Sequence, residues 1–156
     1  MLRMSKMTDY GTLVLAHLAE APGRVFSAND IASETQLALP SVRKLLKMLG
    51  KAGLVSSVRG AGGGYSLARS ADDITAAEIL DALEGPVMLT ECSASDSQCR
   101  LESSCGVGAS WQRINQLIRQ SLTDVSLAQL CDVGALTVEF PLVDGLAVRR
   151  LNRPVA

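Results

Sequence analysis

A chain of 156 residues, 47% hydrophobic and with a formal net charge of −1, is long enough for one domain with a core, or a small domain with an appendage, and too apolar to be disordered by composition. No apolar run reaches membrane-helix length and the start, MLRMSKMTDYG, lacks a secretory h-region, so neither a membrane span nor a signal peptide is expected and the chain reads as cytoplasmic. His17 is the only histidine, no paired carboxylates mark a cleft, and the GAGGG run lacks the following helix and Lys-Ser/Thr of a phosphate loop, so an enzyme is not expected.

The mean charge hides an uneven distribution. Residues 40–69 hold six basic side chains (Arg43, Lys44, Lys47, Lys51, Arg59, Arg69) and no acidic one, whereas residues 70–105 hold one basic and eight acidic. Phosphate neutralisation needs local rather than average charge, so the basic stretch is a candidate DNA contact. A solvated helix face is the plainer reading.

Taken in order, Thr8 to Ala21 predicts a first helix. Tyr10, Leu13, Val14, His17, Leu18 and Ala21 share a face, and Pro22-Gly23 ends it. His17 reads as a core histidine with one hydrogen bond rather than a metal ligand. Asp9 lies in the first turn, where the helix dipole favours a carboxylate. Ser27-Ala28-Asn29-Asp30 opens a second helix with a capping-box-like start, continued by Ile31, Ala32 and Thr35. A turn from Gln36 to Leu39 leads to a third helix, with Pro40 at its first position.

That third helix repeats Val42, Leu45, Leu46 and Leu49 on one face and sets Arg43, Lys44, Lys47 and Lys51 mostly outside it. Gly53 supplies a left-handed stop. Leu54 to Val58 reads as a strand, Arg59 to Gly64 as a glycine-rich turn that permits close backbone approach, and Tyr65-Ser66-Leu67 as the return strand. Two short helices, a turn, a basic helix and a hairpin give the order of a winged helix-turn-helix. The basic helix can enter a major groove while the wing follows phosphates or a minor groove. Ser41 suits a phosphate or a base edge, Arg43 a guanine, and Lys44 and Lys47 phosphates. Arg59, Gly62, Gly63 and Gly64 form the wing contact. Tyr65 is either a phosphate donor or hairpin packing.

Thr75-Ala76-Ala77-Glu78 caps a fourth helix with Ile79, Leu80 and Leu83 as its face, ended by Gly85-Pro86. Residues 91–108 lack periodicity and form a long loop, expected to be functional or disordered. Ala109 to Leu122 is the longest regular helix, with a stripe of Trp111, Ile114, Leu117, Ile118, Leu122 and then Val125. Such a stripe packs on a second copy or folds back onto the domain. Ser126 to Gln129 caps a last short helix through Cys131. The expected fold class is mainly α with a small β-hairpin wing: a winged helix-turn-helix domain (1–85), a cysteine-bearing loop (86–108), a dimerisation helix with a short C-terminal helix (109–133) and a loosely ordered tail (134–156).

Three of four cysteines, Cys92, Cys99 and Cys105, sit in the loop as C-x6-C-x5-C. Disulfides are not expected in a cytosolic chain. Thiolates suit zinc or an iron–sulfur cluster. The gaps are wider than a zinc knuckle and suit a cluster better, and three unrelated thiols in a mobile loop is the bland alternative. Cys131 reads first as a small core residue and second as a ligand.

With these residues in view, the chain resembles the IscR/NsrR-type family of winged-helix transcription regulators, which sense iron–sulfur status or nitric oxide. The resemblance is carried by SKMTDYG, GLVSSVRGAGGGYSLAR, ITAAEILDALEG, the three cysteines after it and the W-x2-I-N-x-L-I pattern, and covers roughly residues 1–131. The start is most similar to regulators of the SUF iron–sulfur assembly operon. The resemblance implies a [2Fe–2S] or [4Fe–4S] cluster on Cys92, Cys99 and Cys105, a homodimer formed by the long helix, and double-stranded operator DNA as partner. It implies neither a membrane nor a small-molecule substrate. Two departures stand out. Gly108 occupies the place where the IscR-like branch has a histidine ligand, and the first cysteine gap is one residue longer. In the nitric-oxide-sensing branch an aspartate near the N-terminus of the partner protomer completes the set, and Asp9 matches it; Glu91, Glu102 and Cys131 are rivals. Zinc-stabilised DNA binding, a nitric-oxide- or redox-sensing repressor and an iron–sulfur carrier remain the alternatives.

Overall fold

The computed structural model describes residues 4–60, 62–90 and 105–132. In chain order it contains α1 (Lys6–Ala19), α2 (Ala28–Thr35), α3 (Leu39–Lys51), β1 (Val55–Val58), β2 (Gly64–Leu67), a single 3-10 turn (Ala71–Asp73), α4 (Ala76–Leu83), α5 (Gly108–Thr123) and α6 (Leu127–Cys131). No helix among the described residues is long and apolar enough to cross a membrane. The fold is mainly helical with a two-stranded antiparallel hairpin, as the hydrophobic periods require.

α1 starts two residues before the expected Thr8 because the Ser5 hydroxyl accepts the Met7 N–H at 3.1 Å. Of its expected face, Val14, His17 and Leu18 are buried and Tyr10 and Ala21 pack on the core, and the face differs at a few positions. Gly11, Val14, Leu15 and Leu18 turn inward, whereas Leu13 is 44% exposed. Glycine carries no hydrophobic signal, so a periodicity count passes over it. Here its missing side chain is what lets α1 close on its neighbours: a Cβ at Gly11 would lie 3.2 Å from Leu83 Cδ2 and 3.3 Å from Leu45 Cδ2. His17 is buried edge-on against Phe26, with ring centroids 4.8 Å apart. The expected hydrogen bond is not made by Nε2, which instead lies 3.3 Å from a Glu34 carboxylate oxygen in ion-pair geometry.

α2 opens with a full capping box. The Ser27 hydroxyl accepts the Asp30 N–H and the Asp30 carboxylate accepts the Ser27 N–H, both at 3.1 Å. These bonds, led by the Ser27 side chain, hold the Asp30 carboxyl below its usual range. α3 begins at Leu39, so Pro40 takes the second helical position rather than the first. Its missing N–H is still one of the unpaired donors of a helix start, so nothing is lost. Val42, Leu45, Leu46 and Leu49 are all buried, as their spacing demands. Gly53, at φ 74°, ends α3. Its N–H bonds the Gly50 carbonyl and the Leu54 N–H bonds the Leu49 carbonyl, at 3.1 and 3.0 Å. This double bond pattern fixes the angle at which the chain leaves the helix for the hairpin.

The hairpin pairs Val55 with Leu67 and Val58 with Gly64. A third strand of one residue completes it: Phe26 and Tyr65 exchange two backbone hydrogen bonds of 2.9 and 2.8 Å. One residue carries no alternation, so the sequence alone does not reveal this strand.

α4 and α6 carry the expected capping boxes, Thr75 with Glu78 and Ser126 with Gln129. They are also joined to each other. The Ala76 N–H donates to Val125 O at 2.8 Å and the Leu127 N–H to Ile74 O at 2.7 Å. Leu127 is fully buried in the same core as Leu15, Leu45 and Ile79, where each large aliphatic side chain contributes about 1.5–3 kcal/mol. α5 is held to α4 by two Arg119–Asp81 bonds of 3.0 and 2.6 Å. Those bonds raise the Arg119 guanidinium further above its usual range. The buried Asn115 accepts the Leu89 N–H at 3.2 Å and pins the link before the cysteines to α5. Cys131 is exposed on α6 and not a core residue; partial burial and then the Glu20 carboxylate hold its thiol above the usual range.

Candidate nucleic-acid interface

α3 can turn only one face outward, because the opposite one is locked in the core. On the free side Arg43, Lys44, Lys47 and Lys51 are all exposed, and Ser41 is half-buried at the first turn. Arg43 and Lys47 are one turn apart and stand together. Arg59, at the end of β1, is exposed beside Gly60, whose φ of 115° turns the chain into the wing tip. The expected contact cations of α3 and the wing are thus all exposed.

Arg69, the sixth cation of the acid-free stretch, is spent inside the molecule. It pairs with Glu78 at 2.7 Å and donates to the Asp73 carbonyl at 3.1 Å, tying the hairpin's exit to α4. Burial pulls the Glu78 carboxyl upward, but the Thr75 N–H, the Arg69 guanidinium and the Thr75 hydroxyl outweigh it and leave it below the usual range.

The wing glycines divide in the same way. A Cβ on Gly63 would clash with the Val58 carbonyl oxygen and lie 2.9 Å from that of Gly60. A Cβ on Gly64 would clash with the Phe26 carbonyl, 2.7 Å from its carbon. Both glycines serve the protein's own backbone. Gly62 has nothing within 4 Å of such a Cβ and is free to approach a ligand. Tyr65 is half-buried, packs against the core and joins Phe26 through its backbone. Gly64→Ala should therefore lower the stability of the fold by about 1–3 kcal/mol, since backbone cannot yield as a side chain can. Gly62→Ala should leave the melting midpoint unchanged. Equal midpoints for both variants in thermal melts would remove the packing role given to Gly64.

Of the candidate metal ligands, Asp9 is exposed in the first turn of α1 and Cys105 is half-buried just before α5. A Cβ on Gly108 would lie 3.6 Å from Cys105 Sγ, so this glycine leaves one side of the sulfur open. Cys92, Cys99, Glu91 and Glu102 lie outside the described residues. Among the described residues no three His, Cys, Asp or Glu side chains are grouped closely enough to hold a metal ion. On the outer side of α5, Trp111, Ile114 and Leu117 are 43, 41 and 41% exposed.

A basic helix held by its apolar back, next to a glycine-tipped hairpin on a helical core, defines a winged helix-turn-helix DNA-binding regulator. The chain belongs to the Rrf2 family, whose model, described as an iron-dependent transcriptional regulator, matches residues 4–133. It is 32% identical over 130 residues to the HTH-type transcriptional regulator CymR of Bacillus subtilis, covering 83% of this chain and 89% of that protein. It is 37% identical over 101 residues to the HTH-type transcriptional regulator IscR of Xenorhabdus nematophila, covering 65% of this chain and 61% of that protein. Among solved structures it is similar to CymR, the global cysteine regulator of B. subtilis, with a TM-score of 0.64 at 32% identity over 84% of this chain and 97% of that one. It is also similar to T. potens IscR, with a TM-score of 0.58 at 32% identity over 83% and 85%. The chain is thus a DNA-binding transcriptional regulator of a family of regulators, not of enzymes.

Proposed function

We propose that this regulator is a homodimeric repressor or dual regulator that senses iron–sulfur cluster status and controls iron–sulfur assembly genes of the SUF type. The observation that carries the reading is chemical. Three thiols fall within residues 92–105, and the last of them stands at the root of the helix with the unpartnered apolar stripe. A set of soft thiolates fits an iron–sulfur cluster, and Gly108 leaves space beside Cys105 Sγ. Cys92, Cys99 and Cys105 would hold the group, with Asp9 of the partner protomer as fourth ligand. A bound cluster supplies a signal that is lost under iron shortage or oxidation. A carboxylate is a harder and more easily displaced partner for iron than a thiolate, which suits a sensor. The Asp9 match also keeps a nitric-oxide-sensing role as the second reading.

The chain's own residues supply the rest. Asn115 and Arg119 tie α5 to the 86–90 link and to α4. Any rearrangement at the root of α5 therefore reaches α4, and through Leu83 and Gly11 it reaches α1 and α3. Two α3 helices in a dimer would be moved relative to each other, changing how they span two half-sites.

The test is iron, sulfide and zinc content, with a visible spectrum, on protein purified without oxygen. Matched iron and sulfide in brown wild-type protein, and a weaker, altered spectrum in Asp9→Ala, are the expected results. Colourless protein carrying zinc would replace this reading with a zinc-stabilised DNA-binding dimer. An unchanged spectrum in Asp9→Ala would remove Asp9 from the ligand set.

A further inference from the structure

Glu84 is the C-cap residue of α4, and its side chain leaves its own helix. Carboxylate oxygen Oε1 accepts the backbone N–H of Ser5 at 3.0 Å and also a short hydrogen bond from the Thr8 hydroxyl. Ser5 is the N-cap of α1, and its carbonyl accepts the N–H groups of Thr8 and Asp9 at 3.1 and 3.4 Å. Thr8 is buried, while Glu84 is exposed. One carboxylate therefore clasps the whole first turn of α1 from outside. Hydrogen bonding from Ser5, and then from the Thr8 hydroxyl, holds that carboxyl below the usual glutamate range.

The clasp has a particular place in the chain. Directly after Glu84, Gly85 at φ 89° turns the backbone into the link that leads to Cys92. Leu89 in that link is fixed to Asn115 of α5. Asp9 directly follows Thr8. Glu84 thus stands where the start of the cysteine segment meets the turn that carries Asp9.

We propose that Glu84 is a positioning residue, whose carboxylate fixes the first turn of α1, and with it Asp9, against the root of the cysteine segment. The proposal rests on the assignment of Asp9 as a ligand given above. Glu84 touches no metal; it sets the place from which Asp9 reaches across a dimer. A carboxylate does this better than a neutral acceptor, since it binds two donors at a helix N-terminus where negative charge is favoured.

The test uses the full-length protein and two readouts. In protein stripped of metal, Glu84→Ala should speed amide hydrogen exchange at Met7 to Tyr10 by about tenfold while leaving α2 and α3 unchanged. Glu84→Gln, which keeps an acceptor oxygen, should restore most of the protection. Thr8→Val, which removes one donor and conserves volume, should show a smaller effect in the same direction. In protein loaded without oxygen, the visible absorbance should decay about tenfold faster under an iron chelator in Glu84→Ala. Adding Glu84→Ala to Asp9→Ala should make the decay no faster than in Asp9→Ala alone. Unchanged exchange at Met7 to Tyr10 would overturn the clasp, and additive losses in the double variant would overturn its action through Asp9. If Asp9→Ala alone leaves the decay unchanged, the ligand assignment fails and the positioning role with it; the exchange result would still show whether Glu84 clasps α1.

Discussion

Alanine at Arg43 is expected to flatten operator preference, and alanine at Arg59 to weaken binding without flattening it. The two arginines differ in how they are held. Arg43 stands on a helix whose rotation is fixed by Val42, Leu45, Leu46 and Leu49, all buried. On the expected DNA contact its guanidinium would meet a groove at one register, as the bidentate reading of a guanine edge requires. Losing that contact should cost about 1–3 kcal/mol per half-site against the preferred base, and little against other bases. Arg59 lies at the tip of a two-stranded wing between Val58 and Gly60. On the expected wing contact a cation there would meet phosphates, so its loss should lower affinity for all sequences and reduce the salt slope by about one per protomer. Binding titrations at several salt concentrations, on the operator and on single-base variants, measure both effects. Equal salt slopes for wild type and Arg59→Ala would sink the wing assignment. Unchanged base preference in Arg43→Ala would move the reading contact elsewhere on α3.

The second large effect is expected from Ile114→Asp. α5 holds its own chain through polar contacts as well as the half-buried Ile118 and Leu122, and leaves the rest of its apolar stripe outside. Asn115 and Arg119 bind Leu89 and Asp81 on the inner side, whereas Trp111, Ile114 and Leu117 face out. Three large apolar side chains left more than 40% exposed on one helix mark a surface that calls for a cover. In the dimer proposed above, a second copy of α5 related by a two-fold axis would supply one and would set two α3 helices on one duplex. A carboxylate in that seam loses water without gaining a partner, at a cost of several kcal/mol per chain. Ile114→Asp should sediment as a monomer, keep the helical content of the wild type, melt at a lower midpoint and bind operator far more weakly. A dimer of unchanged mass in Ile114→Asp would exclude α5 as the interface, and so would a monomeric wild type.

Much of the head was legible from local signals. Ser27 with Asp30, Thr75 with Glu78 and Ser126 with Gln129 each announced a helix start, because capping needs an oxygen at fixed spacing from a free N–H. The α3 face was legible because four aliphatic residues recur at the helical period. On α1 the expected Val14, His17 and Leu18 are buried and Tyr10 and Ala21 pack on the core, but Leu13 faces out and Gly11, which packs by having no side chain, carries no periodic signal. The third strand at Phe26 and the return of Leu127 to the core are long-range pairings with no local period. The candidate interface was legible as charge, but counting cations does not separate Arg69, consumed by Glu78, from Arg43 and Arg59. In the same way a run of glycines does not show that Gly63 and Gly64 are required by their own backbone and Gly62 is not.

The seam between Ile74 and Leu127 also sets the order of events at the ribosome. Leu127 belongs to the core that Leu15, Leu45 and Ile79 share, yet it is made 44 residues after Leu83. At about 5–20 residues per second, the head waits roughly 2–9 s with an open apolar floor before its last piece arrives. In that interval the core that Leu127 completes is still open. A premature stop anywhere in the cysteine segment would yield an incompletely folded fragment that is cleared, and not a sensor-free repressor locked on its operator.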